Sequence, residues 1–395
     1  MSPVLAAAVV VLLEGLVLWA VFPIMSYYCA EFGGGPVAVG VMFALLSAPR
    51  VICNPLFGWL AERFGRRPLM AVASLGTMAG SILWAVSPDL TWLAVSRAIA
   101  GVFGAQAALS ATVVADTTPP ERRGRAMGVV GAAFGLSMVF GPLLGSEVTT
   151  QWSHAAVGWV SAALQGLSVL TVVFVLKETH PARLDPRAPR VPAPTNWQLL
   201  RRPRVTPLLL VTFGSALALS QVTTTFAMLG ESVYHFAERQ AGYAFTVFGL
   251  IGTLVQGGVV RVLHPRCGDR RLALVGLACI VGSALVILAQ PPEWTLWLCM
   301  GLVGGGVALS TPTIAALLSG SVGPEQQGTV MGLSQGTMSL GRAAGAPLAG
   351  WFFAALTPTA PYGLTALVAV LAAALLWPIK DGRGPPPRPV PSNAA

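Results

Sequence analysis

Residues 36–68 read PVAVGVMFALLSAPRVICNPLFGWLAERFGRRP. Up to residue 60 the stretch is mostly apolar and its one charge is Arg50; then Glu62, Arg63, Gly65, Arg66, Arg67 and Pro68 close it. A helix needs about 20 apolar residues to cross the hydrocarbon core of a bilayer. The stretch therefore reads as a membrane span that ends in a short charged turn, with Gly58 and Gly65 allowing close approach and a tight bend. Outward from it the same pattern recurs. Spans are expected at 4–27, 36–60, 69–87, 91–115, 126–147, 156–176, 206–229, 241–262, 272–289, 295–318, 328–354 and 360–379. Turn signals such as Gly33-Gly34-Gly35-Pro36, Ser87-Pro88-Asp89 and Gln290-Pro291-Pro292 separate them. The expected fold is an all-α membrane protein of twelve transmembrane helices.

Composition agrees. Only 10% of the 395 residues are charged and 54% are hydrophobic, where a soluble chain carries about a quarter charged residues. An ordinary soluble enzyme and a disordered chain are both excluded. The five cysteines have no paired spacing, so no disulfide framework and no metal site is implied. The first span lacks a basic start and contains Glu14, so it reads as a mature helix and not as a cleaved leader.

The net charge of +9 is a matter of placement. Of 24 Lys and Arg, 19 fall in the termini and even-numbered loops, Arg261 lies at the end of the eighth span beside one of those loops, and Arg239 alone falls in an opposite-side loop. Arg50, Arg97 and Arg342 lie inside spans. Cations gather on the cytoplasmic side, so both termini and the central loop are expected in the cytoplasm, with the chain in a bacterial inner membrane. No aromatic–basic motif accompanies these charges, and no nucleic-acid partner is expected.

The polar stretch 177–205 divides the spans six to six. The expected organisation is a bundle over 1–176, a linker over 177–205, a second bundle over 206–379 and a disordered tail over 380–395. The halves match at an offset of 204: Pro120, Glu121, Gly124, Met127, Gly128 and Gly141 against Pro324, Glu325, Gly328, Met331, Gly332 and Gly345. Gly65-Arg66-Arg67 also matches Gly268-Asp269-Arg270-Arg271 in the corresponding loop. Parallel six-helix repeats hold a cavity between them that rocking exposes to each face in turn.

These motifs resemble the major facilitator superfamily. Residues 58–68 resemble its signature between helices 2 and 3. Arg97-Ala-Ile-Ala-Gly101 resembles the opening of its helix 4 signature, which runs on to Asp116. Gly131, Gly135, Gly141, Pro142 and Gly145 resemble the helix 5 signature of its drug:proton antiporter branch, and the second half is similar to tetracycline-efflux-like members at Gln221, Glu231 and Gln256-Gly257-Gly258. The departures are Glu14 and Glu62 where relatives have aspartate, Ser146 for a glycine, and Arg50 for a neutral residue. The resemblance implies conformational gating by Gly58, Glu62, Gly65, Arg66, Arg67 and Asp116, proton coupling through Arg97, and helix packing at the helix 5 glycines. Pro142, which lacks an N–H and clashes with the preceding turn, is expected to bend that helix near Gly141.

Glu14 is the sharpest single residue. It lies ~15 Å into the first span, near the midplane, where a charge is costly to keep without a function. A carboxyl that takes a proton from one side and loses it to the other is what proton coupling needs. Arg50 has a similar depth. It either pairs with Glu14 in one state or binds an anionic substrate group, which guanidinium suits. Arg342 is a second candidate for substrate contact. Gln106, Gln221, Thr224 and Gln335 are expected to line the cavity beside Trp19, Phe22 and Tyr27, apolar walls with a few polar groups being suited to an amphiphile.

The expected function is proton-coupled efflux of a small amphiphilic molecule by alternating access, by a monomer in contact with lipid. The expected driving force is the proton gradient, with no cofactor and no enzymatic activity. Two alternatives stand beside it: an importer or symporter of a small organic anion, and a non-transporting membrane sensor.

Overall fold

The computed structural model describes residues 2–179, 202–323 and 326–379, and among these there is no strand. The first half comprises α1 (Pro3–Glu31), α2 (Pro36–Phe64), α3 (Arg66–Ala85), α4 (Leu90–Phe103), α5 (Gln106–Thr117), α6 (Pro120–Gln151) and α7 (His154–Leu170), which runs on into a π-helical turn, Thr171–Val175. The second half comprises α8 (Val205–Tyr234), α9 (Glu238–Leu254) with a π turn Val255–Val259, α10 (Val260–Leu288), α11 (Glu293–Ser319), α12 (Gln327–Ala355) and α13 (Ala360–Leu376). Most of the expected linker, the tail from 380, Pro324 and Glu325 lie outside the described residues.

The chain crosses twelve times. Nine stretches are long and apolar enough to span a membrane by themselves, and the 51-residue one, Glu238–Leu288, crosses twice. The α12 helix, packed on α2 and α8, and the α13 helix, packed on α8 and α10, complete the set. Both described ends therefore lie on one side, the terminal face; the other is the distal face.

Local chemistry sets the helix ends. On the distal face the Asp89 carboxylate accepts from the backbone N–H of Thr91 (2.8 Å) and Trp92 (3.0 Å), and the Ser153 hydroxyl from that of Ala156 (3.1 Å), so α4 and α7 start with their orphan donors satisfied. On the terminal face Gly65 (φ 98°, ψ 160°) turns α2 into α3. Gly268 (φ 74°, ψ 168°) makes the equivalent turn inside α10. Only glycine enters that region without strain, and its recurrence in the corresponding loop supports the repeat. The structure joins the expected eighth and ninth spans in one helical run broken only there.

The expected fourth span is also different from its reading. It is broken at Gly104 and Ala105, between α4 and α5. Another helix comes close at this break: a side-chain carbon on Gly104 would fall within 2.8 Å of the Arg50 guanidinium. Arg50 thus sits against the C-terminal end of α4, where the helix dipole favours a cation.

Within the first half α1 packs on α6, α3 on α4 and α7, and α2 on α4; within the second, α8 packs on α12 and α13, and α10 on α11 and α13. The halves meet along two seams, α2 with α12 and α6 with α9. Toward the terminal face each half buries its own core, around Val10, Phe57, Met70 and Leu109 in the first and Leu208, Leu277, Ile314 and Leu376 in the second. Toward the distal face the cores are shared between halves: Trp19 with Phe245 and Phe248, and Met25 and Phe43 with Met228 and Ala346.

Candidate functional site

Glu14, Arg50 and Arg342 stand near the middle of α1, α2 and α12, so both halves bring ionisable groups to one depth. Glu14 Oε2 and Arg50 Nε are buried without a hydrogen-bond partner. Each feels the other's charge, yet no ion pair within 4.0 Å joins them. Arg50 also acts electrostatically on Arg342 and Arg97. Glu14, Arg97 and Arg342 thus each feel the charge of Arg50. The Arg342 Nη2 group has only a thioether contact, 3.3 Å to Met338 Sδ.

The other expected positions divide. Arg97 is 5% exposed and lies inside the first bundle, its guanidinium 4.3 Å from the face of Trp84. It borders a small cavity with Val17, Ser81, Val157 and Ser161. Gln106 and Gln221 correct the sequence reading. Gln106 donates to the Met70 carbonyl (2.9 Å) and fixes α5 to α3. Gln221 donates to the Gly345 carbonyl (2.8 Å) and fixes α8 to α12. Both amides serve packing within a half and line no shared space. Thr224 is buried in α8 and Gln335 is exposed on α12.

On the distal side of Glu14 an aromatic cluster closes the gap between the halves. Trp19 lies 5.0 Å from Phe22 and 5.6 Å from Phe248, and Phe22 lies 4.9 Å from Phe43 and 6.2 Å from Phe245. Beyond it the seams touch backbone to backbone. A methyl group on Gly40 would overlap the Ala346 carbonyl, and one on Gly350 the Pro36 carbonyl. On the second seam Gly249 meets the Met138 carbonyl and Gly242 meets Ser146, the residue that stands in place of a glycine. The Thr253 hydroxyl donates to the Gly135 carbonyl at 3.2 Å.

Polar bonds close the rim. Tyr27 Oη donates to the Phe236 carbonyl (3.0 Å). The Glu147 carboxylate accepts from Arg239 (2.7 Å) and Tyr243 (2.8 Å). His154 stands between Glu31 and Glu238. Sequence reading missed these pairs because their members are distant along the chain.

At the terminal face the halves stand apart. Gly58, Gly124, Gly128 and Gly131 in the first half, and Gly257, Gly258, Gly328, Gly332 and Gly336 in the second, have nothing within 4 Å of where a side chain would begin. The expected gating residues assemble within the first half. Arg66 Nη2 donates to Glu62 (2.7 Å), its Nε to Asp116 (3.0 Å), and its backbone N–H to Glu178 (2.9 Å). Arg67 donates to the carbonyls of Val172 and Val173 in the π turn. A carboxylate at the start of α3 also suits the helix dipole. Glu178 is the member sequence reading missed, since it lies in the polar linker without a motif. Of the helix 5 glycines, Gly141 and Gly145 abut Leu16 and Ala20 of α1, Gly135 abuts Thr253, and Gly131 faces open space; α6 runs unbroken through Pro142.

This architecture has known counterparts. The crystal structure of the human organic anion transporter MFSD10 (TETRAN) superposes with a TM-score of 0.72 at 23% identity, covering 94% of this chain and 98% of that one. A peptide transporter POT superposes at 0.77 with 16% identity, covering 95% and 92%. In sequence, the class E tetracycline resistance protein of Escherichia coli is 31% identical over 338 residues, which is 84% of this chain and 82% of the relative. The class G protein of Vibrio anguillarum is 28% identical over 391 residues, 94% and 92% of the two. The Major Facilitator Superfamily model matches residues 7–291 and 262–395. On that match and those identities the chain belongs to the Major Facilitator Superfamily, a family of membrane carriers and not of enzymes.

Proposed function

We propose that the protein is a proton-coupled exporter of a small amphiphilic molecule, working by alternating access. The observation that carries this reading is Glu14, an acid in the middle of the membrane with one oxygen sealed and unpaired beside Arg50. A carboxylate so placed is costly unless it is used. Protonation relieves the cost, and approach to Arg50 relieves it without a proton; a cycle that alternates the two couples proton flow to conformation. The tetracycline resistance names of the relatives support export of a drug-like molecule. Aromatic walls at Trp19 and Phe22 suit such a cargo.

In this reading the terminal face is cytoplasmic, because the loop cations gather there. The structure is then the state closed to the outside and open to the cytoplasm. The carrier acts as a single chain in a bacterial inner membrane, with the proton gradient as its driving force and no cofactor. The terminal network around Arg66 gates the opposite state, and Arg97 positions the first bundle around the coupling site.

One observation favours a second reading of the cargo. Arg50 and Arg342 outnumber Glu14 at the centre, and guanidinium groups match carboxylate or phosphate. An organic anion satisfies this balance, and the likeness to the human organic anion transporter MFSD10 supports it.

The test is transport in energised everted vesicles with a pH-sensitive dye. Amphiphilic drugs and organic anions are added in turn to wild type and to Glu14→Gln. Proton release triggered by one class and absent in the variant is the expected result. Release that persists in Glu14→Gln removes Glu14 from the coupling step.

A further inference from the structure

We infer that His154, held between Glu31 of its own half and Glu238 of the other, is a proton-binding site that locks the distal face closed. The inference needs only that the halves part on this side; it does not depend on the cargo or on Glu14.

His154 opens α7 and its ring is fixed from every direction. It is 5% exposed. The ring stacks on Tyr28, with centroids 5.1 Å apart and planes 12° from parallel. The backbone is pinned as well: the Trp84 indole N–H donates to the His154 carbonyl at 3.0 Å, and Tyr28 Oη donates to the Trp84 carbonyl at 3.1 Å. Nothing in this cage lets the imidazole turn away from its two acids.

Those acids address opposite ring nitrogens. Glu31 Oε1 lies 2.6 Å from Nδ1, and Glu238 Oε1 lies 3.1 Å from Nε2. The second approach is an ionic contact off the ideal hydrogen-bond direction, since Nε2 has no partner by angle. A neutral imidazole has one N–H and one lone pair, so it can donate to one carboxylate only and turns the lone pair toward the other. An imidazolium donates from both nitrogens. The cluster is therefore complete with one proton more than a neutral ring and two carboxylates supply. The proton enters from water on the distal side, and the bond it forms is N–H at Nε2, facing Glu238.

Other ionisable groups on the surrounding elements do not replace it. Glu147 on α6 is already held by Arg239 and Tyr243. Arg97 on α4 lies over the Trp84 ring and its charge reaches Tyr28, but it makes no ion pair with Glu31 or Glu238. Glu231, at the end of α8, adds negative charge near Glu238 and Tyr27. His154 is thus the cation between an acid of each half.

The consequence follows from linkage. Parting the halves takes Glu238 away from Nε2, so the closed state holds the proton more firmly than the open state. Distal closure gains as pH falls and is lost as pH rises, by up to about tenfold per pH unit for one proton.

The experiment places nitroxides on Val86→Cys and Leu356→Cys, both exposed at distal helix ends, in a chain with its own cysteines replaced. Distances between the labels are measured by pulsed electron resonance in lipid nanodiscs from about pH 5 to about pH 8.5. In wild type the short-distance population is expected to dominate at low pH and to fall at least about tenfold relative to the long one as pH rises. Glu238→Gln leaves the cage inside the first half intact and should flatten this dependence, as should His154→Gln. A wild-type distribution that does not change with pH overturns the inference. So does a pH dependence that survives in Glu238→Gln combined with Glu14→Gln, which removes the membrane carboxyl from the titration, since the lock between the halves would then not involve His154.

Discussion

On the distal side α2 and α12 touch backbone to backbone at Gly40 and Gly350, while Gly58 of the same α2 and Gly332 and Gly336 of the same α12 face open space. The second seam repeats the pattern. The distal residues Gly242 and Gly249 of α9 press on α6, whereas Gly124, Gly128 and Gly131 of α6 and the π-turn glycines Gly257 and Gly258 are uncovered. Each seam helix thus carries small residues at both ends and uses one end at a time. A single rigid contact would need them at one end only. On the proposed cycle the sequence holds two closed interfaces, of which this structure displays the distal one, and the uncovered glycines belong to the other.

The largest effect should come from spoiling the displayed interface. In Gly40→Val the new side chain meets the Ala346 carbonyl and the Pro347 backbone, which cannot swing aside as a side chain would. Overpacking of this kind costs about 3 kcal/mol, or about a hundredfold in the balance between closed and open distal faces. Labels at positions 86 and 356 should report mainly the long distance. A wild-type distribution would show that the seam tolerates a separation the contacts deny.

Next comes the undisplayed interface. Gly128→Leu and Gly332→Leu occupy equivalent places in the two repeats, and neither meets a neighbour in this structure. The melting temperature in detergent should therefore stay within about 2 °C of wild type. Closure of the terminal face, followed by labels across it, should fall at least about tenfold. Normal terminal closure in both variants would mean that these glycines serve lipid contact and not a second seam.

Arg66→Ala is expected to act within one half. It strands Asp116, which is 15% exposed, and removes the bonds to Glu62, which is 62% exposed and screened by water. The loss should be about 1–3 kcal/mol of stability, read as a lower melting temperature with little change in the distal distances. A large distal shift with no loss of stability would place this network on the path between the faces.

How far the sequence was legible follows the same division. Spans are a matter of apolar length, which is local, and residues 58–68 already contain the turn, Arg66 and Glu62, though not Asp116 or Glu178. The break at Gly104 has only a weak local sign, the glycines at 101 and 104 in an otherwise apolar stretch. It falls where Arg50 of another helix meets that backbone. Gln106 and Gln221 show the converse error: a polar side chain in a span announces that it needs a partner but not whether the partner is cargo or a neighbouring carbonyl. His154 could be assigned to the distal side by counting spans, yet Glu31 is 123 residues away in sequence and Glu238 is in the other half. Contacts that belong to one conformation are set by tertiary closure, and no single segment encodes them.

The smallest effect should come from Glu147→Gln, and it sharpens the comparison most. Glu147 and Arg239 bridge the α6–α9 seam at 2.7 Å, but their side chains are 27% and 45% exposed. Exposed pairs gain little because water screens them and ordering two long side chains opposes the attraction. Glutamine's carbonyl oxygen can still accept from Arg239 and its amide N–H can donate to Tyr243 Oη, so the change is chiefly the loss of charge. The balance between closed and open distal faces should therefore shift by less than about threefold. That shift should vanish in about 1 M salt, where the screening length is near 3 Å. The Gly40→Val shift should be indifferent to salt, since overlap of atoms is not screened. If Glu147→Gln opened the distal face as far as Gly40→Val, and salt did the same to wild type, charge and not close packing would hold that face shut. The uncovered glycines of the terminal face would then lose their claim to mirror it.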